Sequence, residues 1–257
     1  MRSYARCRNV LEVNHASDTP ATLDNSDLSI VMEEHLSAVR GFWFGRLGQT
    51  VRCVPWRRTM MAVSGSETLY AKLYRRKRRI AKLEWYWLHA LPVLGFETAQ
   101  PVAWVADRES SLVVTSAVTG RSLDSWAVDA AADGWLDGFF SYVCREVAPF
   151  ARRLHDHQLI HRDFNCHHLF ATHPLSAGPP AVIDVERMFR SRWNRRRWVV
   201  KDLASLMASV PVPVPPRVAF RFLKTYAPDL SSRQLRRFVR TVAAKVVRIL
   251  SHQPRFG

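Results

Sequence analysis

Asp163, in the triplet His161-Arg162-Asp163, and Asp184, closing the apolar run Ala181-Val182-Ile183, stand 21 residues apart. A polar loop between two apolar segments carries the first, and the end of a strand-like run carries the second. Two carboxylates so placed form the skeleton of a phosphoryl-transfer site, in which Asp163 takes the proton of an attacking hydroxyl and Asp184 holds Mg²⁺. Glu186, two positions on, is a further metal or structural ligand. The same chemistry needs a cation to meet the charge of ATP. Lys72, inside the apolar stretch Tyr70-Ala71-Lys72-Leu73-Tyr74, supplies it, and Glu84 is its natural partner.

The elements that must position these groups follow in order. Residues 51–54, 59–63 and 68–74 are rich in β-branched and aromatic side chains, with a turn at Ser64-Gly65-Ser66, and predict a small antiparallel meander. A helix is expected over 79–91, where Ile80, Leu83, Trp87, Leu88 and Leu91 recur at helical spacing before Pro92 and Gly95. Strands at 102–106 and 112–115 follow. After Thr119-Gly120 the pattern turns helical, notably over 134–155, with short apolar strands at 169–170 and 181–183. Sheet first and helices afterwards predicts an α+β chain of two lobes with a cleft between them. The expected division is a loose leader at 1–36, a nucleotide-binding sheet lobe at 37–118 and a mainly helical lobe at 119–257.

With 257 residues and 47% hydrophobic content, the chain can bury a substantial core. Its formal net charge of +16 predicts attraction to polyanions: nucleotide phosphates, an anionic membrane surface or nucleic acid. No recognised nucleic-acid motif accompanies the basic residues, so a nucleic-acid partner is not expected. Cys7, Cys53, Cys144 and Cys166 are scattered without a CxxC pair and read as free thiols of a reducing compartment, the cytoplasm. The N-terminus lacks an apolar signal core, and the apolar stretch at 203–214 is interrupted by Pro211 and Pro213. A soluble or peripheral protein is therefore expected.

The order of strand lysine, helix glutamate, HRD loop and strand-end aspartate resembles the protein-kinase superfamily. Within it, the chain resembles the lipopolysaccharide core kinases, which phosphorylate heptose or Kdo sugars of the bacterial inner core. The resemblance rests on Gly48-Gln49-Thr50-Val51-Arg52 with Arg57-Arg58-Thr59, and on Glu84-Trp85 before Leu94-Gly95-Phe96-Glu97-Thr98. It continues through His161-Arg162-Asp163 with His168, Ile183-Asp184-Val185-Glu186-Arg187, and Arg197-Trp198-Val199-Val200-Lys201-Asp202-Leu203. It spans about residues 40 to 210.

That resemblance implies a two-lobed kinase-like fold, ATP and Mg²⁺ as cofactors, and a lipid A-linked core oligosaccharide as acceptor at the cytoplasmic face of the inner membrane. Heptose is the implied sugar. Three departures accompany it. No G-x-G-x-x-G loop is present, and Arg57 and Arg58 stand at the first turn, where they or local backbone amides would cradle phosphate. His168 occupies the place of the usual metal-binding Asn, leaving His168 or Asn165 to approach the metal. Glu186 stands where His is expected in the nearest heptose kinases, and the DFG glycine is absent.

Other readings compete. A kinase acting on protein or on a small molecule such as an aminoglycoside would carry the same core residues. So would a non-catalytic kinase-like module that binds anionic lipid or lipopolysaccharide. His155, His157, His161, Cys166, His167, His168 and His173 crowd one region but show no zinc-ligand spacing, so structural zinc is not expected. His161 is expected to brace the loop through backbone. Near the C-terminus, Leu235, Phe238, Val239, Val242, Val246, Ile249 and Leu250 share a helical side, with arginines and Lys245 largely elsewhere. That pattern suits a packed helix with a basic outer face, or an interfacial helix on anionic lipid.

Overall fold

A computed structural model describes residues 28–31, 35–176, 178–193 and 195–252. These form two compact units, the first comprising residues 28–94 and 99–117 and the second residues 95–98 and 118–252. Residues 1–27 and Cys7 among them lie outside the described residues.

The first unit is built on a six-stranded, wholly antiparallel sheet. Its strands are β1 (Leu28–Val31), β2 (Gln49–Val54), β3 (Arg57–Ser64), β4 (Glu67–Arg75), β5 (Pro101–Ala106) and β6 (Ser110–Ser116), in the spatial order β1-β5-β6-β4-β3-β2. The expected meander is β2 to β4. Because strand side chains alternate, Leu69 and Ala71 of β4 point to one face while Tyr70, Lys72 and Tyr74 point to the other. Helix α1 (Leu36–Trp43) covers the first face: Ala38, Val39 and Phe42 share one buried cluster with Met60, Leu69, Ala71, Val105 and Val114. Helix α2 (Arg78–Val93) packs on β4, β5 and β6 and buries Ala81, Glu84, Trp87, Leu88 and Leu91; Trp87, Leu88 and Leu91 are the expected apolar positions, whereas Ile80 and Leu83 are only half-buried. Gly48 makes the entry to β2 possible. It holds a left-handed φ of 95°, and a Cβ there would come within 2.7 Å of the Phe42 ring.

The second unit is mainly helical. β7 (Arg121–Ser122) leads into α3 (Leu123–Ala132), then a continuous helical run of α4 (Leu136–Tyr142), a π turn at Val143–Val147 and α5 (Ala148–Asp156). The helix expected over 134–155 is this run. Four short strands follow, β8 (Leu159–Ile160), β9 (Leu169–Ala171), β10 (Ala181–Val182) and β11 (Phe189–Arg190), and then α6 (Arg195–Ala208), α7 (Pro216–Tyr226) and α8 (Ser232–Leu250). Helix α8 opens with a capping box between Ser231 and Gln234, and it buries Leu235, Phe238 and Val242 while its arginines stay largely in solvent.

Pairing of the short strands decides where the chemistry sits. β8 pairs with β11, and β9 pairs with β10 on one side and β7 on the other. Residues 161–168 therefore run from β8 to β9, while residues 183–188 run from β10 to β11. Both loops span the same two strand pairs and must lie beside each other. β7 reaches β9 closely because residue 120 is glycine: a Cβ there would fall 2.3 Å from the Ala171 carbonyl oxygen. Cys144 and Cys166 are buried free thiols, as expected. Among the described residues no helix is long and apolar enough to cross a membrane.

Candidate active site

In the first unit, Lys72 and Glu84 are joined as the sequence suggested. Lys72 Nζ lies 2.6 Å from Glu84 Oε1. The pairing follows from geometry: Lys72 is on the α2 face of β4, and Glu84 is on the buried side of α2. Tyr74, two residues along the same strand face, donates its hydroxyl to Glu84 Oε2 at 2.5 Å. Both oxygens of a carboxylate only 3% exposed are thus satisfied, the condition for a buried charge to be tolerated. Arg57 and Arg58 open β3, directly after the Pro55-Trp56 turn. Arg58 Nε donates to Thr50 Oγ1 at 2.7 Å, and the buried Arg57 lays its guanidinium over the Trp56 ring, 5.3 Å from its centroid.

In the second unit the two acidic loops are cross-linked at four points. His161 Nε2 donates to the Ile183 carbonyl at 2.9 Å, and the Ile183 amide donates to the His168 carbonyl at 2.9 Å. His168 uses both ring nitrogens: Nδ1 is 2.7 Å from the Asp163 carbonyl oxygen and Nε2 is 3.3 Å from Asp184 Oδ2. Arg187 Nη1 donates to both carboxylate oxygens of Asp163, at 3.1 and 2.9 Å. Asp163 and Asp184, far apart in sequence, are thereby held by shared partners. His161 is fully buried, and its Nδ1 has no hydrogen-bond partner. Burial first, and then the positive field of His168, pull its imidazole below the ordinary value. It stays neutral and braces the loop through backbone, as expected.

Asp184 stands at a left-handed φ of 58°, which turns the chain from β10 into a 3₁₀ turn over Val185–Arg187. That turn carries Glu186, buried like the core around it, so that one oxygen each of Asp184 and Glu186 lies within 4.8 Å of the other. Asn165 is half-buried, and its carbonyl accepts the His168 amide at 3.0 Å. Octahedral Mg²⁺ places adjacent donors about 3 Å apart. The Asp184 and Glu186 carboxylates could therefore hold one small divalent ion.

Three contributors were not singled out from the sequence. Asp202, fully buried on α6, accepts the His161 amide through Oδ2 at 2.8 Å and the Arg162 amide through Oδ1 at 3.1 Å, with His155 Nε2 at 3.6 Å. Its only sequence signal was its place in the Lys201-Asp202-Leu203 stretch. Arg187 likewise had only its place in the Ile183-Asp184-Val185-Glu186-Arg187 stretch, and Tyr74 carried no signal of its own.

The model of the lipopolysaccharide kinase (Kdo/WaaP) family matches residues 34–241. No curated protein matches. The solved structure of WaaP in complex with acyl carrier protein is similar, with a TM-score of 0.65 and 23% identity over 86% of this chain and 97% of that one. An aminoglycoside-3'-phosphotransferase of type VIII gives a TM-score of 0.48 and 17% identity over 82% of this chain and 99% of that one. The fold is kinase-like, and the chain belongs to the lipopolysaccharide kinase (Kdo/WaaP) family, a family of phosphotransferases.

Proposed function

We propose that the protein transfers the γ-phosphoryl group of ATP to a hydroxyl of an inner-core sugar, heptose, on a lipid A-linked acceptor at the cytoplasmic face of the inner membrane. The observation that carries this reading is the His168 bridge between the Asp163 carbonyl and the Asp184 carboxylate, which ties a base-bearing loop to a metal-binding one. Heptose follows from the resemblance of the motifs. The +16 charge supports recruitment to an acceptor that carries anionic groups within a membrane leaflet.

In this reading Asp163 accepts the proton of the acceptor hydroxyl. Arg187, exposed on its 3₁₀ turn, aims that carboxylate, and yields one of its two contacts as the hydroxyl arrives. Lys72, held by Glu84, whose other oxygen Tyr74 bonds, presents its ammonium to the nucleotide phosphates, and Arg57 and Arg58 contribute at the β2–β3 turn. Asp184 and Glu186 would hold Mg²⁺ as hard oxygen donors, with the Asn165 amide oxygen as a third. His168 would offer Nε2 only by giving up Asp184. When bound, Mg²⁺ neutralises triphosphate charge. Incubation with labelled ATP and dephosphorylated lipopolysaccharide core, casein or kanamycin tests the acceptor class. Label confined to the core supports the reading; label on casein or kanamycin contradicts it.

A partner can be carried over as a second reading. WaaP is solved in complex with acyl carrier protein, and a carrier protein of that kind is the partner this second reading gives the chain. Gel filtration with purified acyl carrier protein tests it: co-elution supports the reading, and separate elution contradicts it.

A further inference from the structure

Three groups on one face of α6 converge on a single residue of the catalytic loop. Trp198, Lys201 and Asp202 are spaced i, i+3 and i+4, so they project from the same side of the helix. The Arg162 guanidinium lies over the Trp198 ring, 5.6 Å from its centroid. The Asp202 carboxylate accepts the Arg162 amide, and Lys201 Nζ donates to the Arg162 carbonyl. Side chain, N–H and C=O of one residue are all held by one helix face.

Arg162 has a φ of 73°, a left-handed conformation that a residue with a Cβ disfavours and that persists only when its surroundings impose it. The division of labour follows from which peptide unit each group holds. Asp202 takes the amides of His161 and Arg162, and so fixes the chain up to Arg162. The peptide unit between Arg162 and Asp163 is held by Lys201, and the unit after Asp163 by His168 Nδ1. Rotation of the unit held by Lys201 would swing the Asp163 side chain away from its direction. Lys201 is more than a surface charge. It is half-buried, and burial, outweighing the nearby Asp202 and Asp163, pulls its ammonium below the ordinary value.

We propose that Lys201 is a positioning residue for phosphoryl transfer, locking the Arg162–Asp163 peptide unit so that the Asp163 carboxylate faces the acceptor hydroxyl. This rests on the reading of Asp163 as the base. The test compares full-length Lys201→Met, which keeps the stem but loses the donor, with Lys201→Arg, which restores a cationic donor. Lys201→Met is expected to lower kcat about 100-fold, the scale of an ångström misplacement, with the KM for ATP nearly unchanged. Lys201→Arg is expected to recover most of the loss. Amide hydrogen exchange over residues 159–168 is expected to quicken in Lys201→Met while exchange in α8 does not. A wild-type kcat in Lys201→Met overturns the proposal, as does a loss unrelieved by Lys201→Arg with loop exchange unchanged. If the wild-type protein itself transfers no phosphate, the functional reading fails. Exchange alone then decides whether Lys201 holds the loop.

Discussion

A single nitrogen, Nη1 of Arg187, bonds both carboxylate oxygens of Asp163, at 3.1 and 2.9 Å. The two residues lie 24 positions apart, on loops that the β8–β11 and β9–β10 pairs set side by side. The Arg187 side chain is 46% exposed and that of Asp163 29%, so solvent screens the pair. Its contribution to stability is small, about 0–1 kcal/mol, and its effect belongs to aiming the carboxylate.

Arg187→Met should therefore separate activity from stability. Its thermal midpoint should stay within about 4 °C of wild type, while kcat falls about tenfold or more as Asp163 loses its fixed direction. Calorimetry and steady-state kinetics on one preparation check both. A large loss of stability would show that the pair is structural.

The Lys72–Glu84–Tyr74 cluster should behave in the opposite way. Removing one partner of a buried ion pair strands the other, so Glu84→Ala should destabilise the first unit by about 3–5 kcal/mol. Tyr74→Phe deletes one hydrogen bond to a charged group and should cost about 1.5–3 kcal/mol. Urea titrations followed by tryptophan fluorescence measure both. Midpoints equal to wild type would contradict the arrangement.

His161 sets a pH dependence. Its imidazole is held below the ordinary value of 6.5, chiefly by burial. Below pH 6.5 the unfolded chain binds a proton at His161 that the folded chain refuses, so stability rises with pH through this window. The stabilisation is complete above 6.5 and is lost as pH falls toward the folded value. Denaturation midpoints should drop between pH 7.5 and 5.5 more steeply for wild type than for His161→Asn. Parallel slopes would remove His161 as the cause.

Cys166 lies one turn from Asp163 yet should be inert. Burial first, and then the negative charge of Asp124, push its thiol up to about 12, partly offset by Ser209. Little thiolate forms near neutral pH, and thiolate is the reactive species. Mass spectrometry after iodoacetamide treatment of the folded protein at pH 8 should find Cys166 unmodified, and after treatment in urea modified.

Much of the site was legible because its signals are local. Lys72 sits within an apolar strand, Glu84 on the buried stripe of the next helix, and Asp163 and Asp184 at the ends of short apolar runs. The partners that hold them are long-range. Asp202 reaches His161 across 41 residues from the interior of a helix, where an aspartate carries no pattern of its own. Tyr74 reads as an ordinary strand aromatic until α2 brings Glu84 over it, and the Arg187 contact exists only once four two- and three-residue strands pair. The strand Leu28–Val31 and helix Leu36–Trp43 escaped for a related reason: each is short, and its ordering comes from packing on the sheet rather than from periodicity.

The central claim is that Asp163 and Asp184 serve one phosphoryl transfer to a lipopolysaccharide core sugar. The most direct measurement is mass spectrometry of dephosphorylated core lipopolysaccharide after incubation with ATP and Mg²⁺ and with wild type, Asp163→Asn or Asp184→Asn. The account predicts that wild type adds phosphate to a core heptose and that each variant is slower by about 10²-fold or more. No phosphate on the core with wild type, or transfer by Asp163→Asn at the wild-type rate, would contradict it.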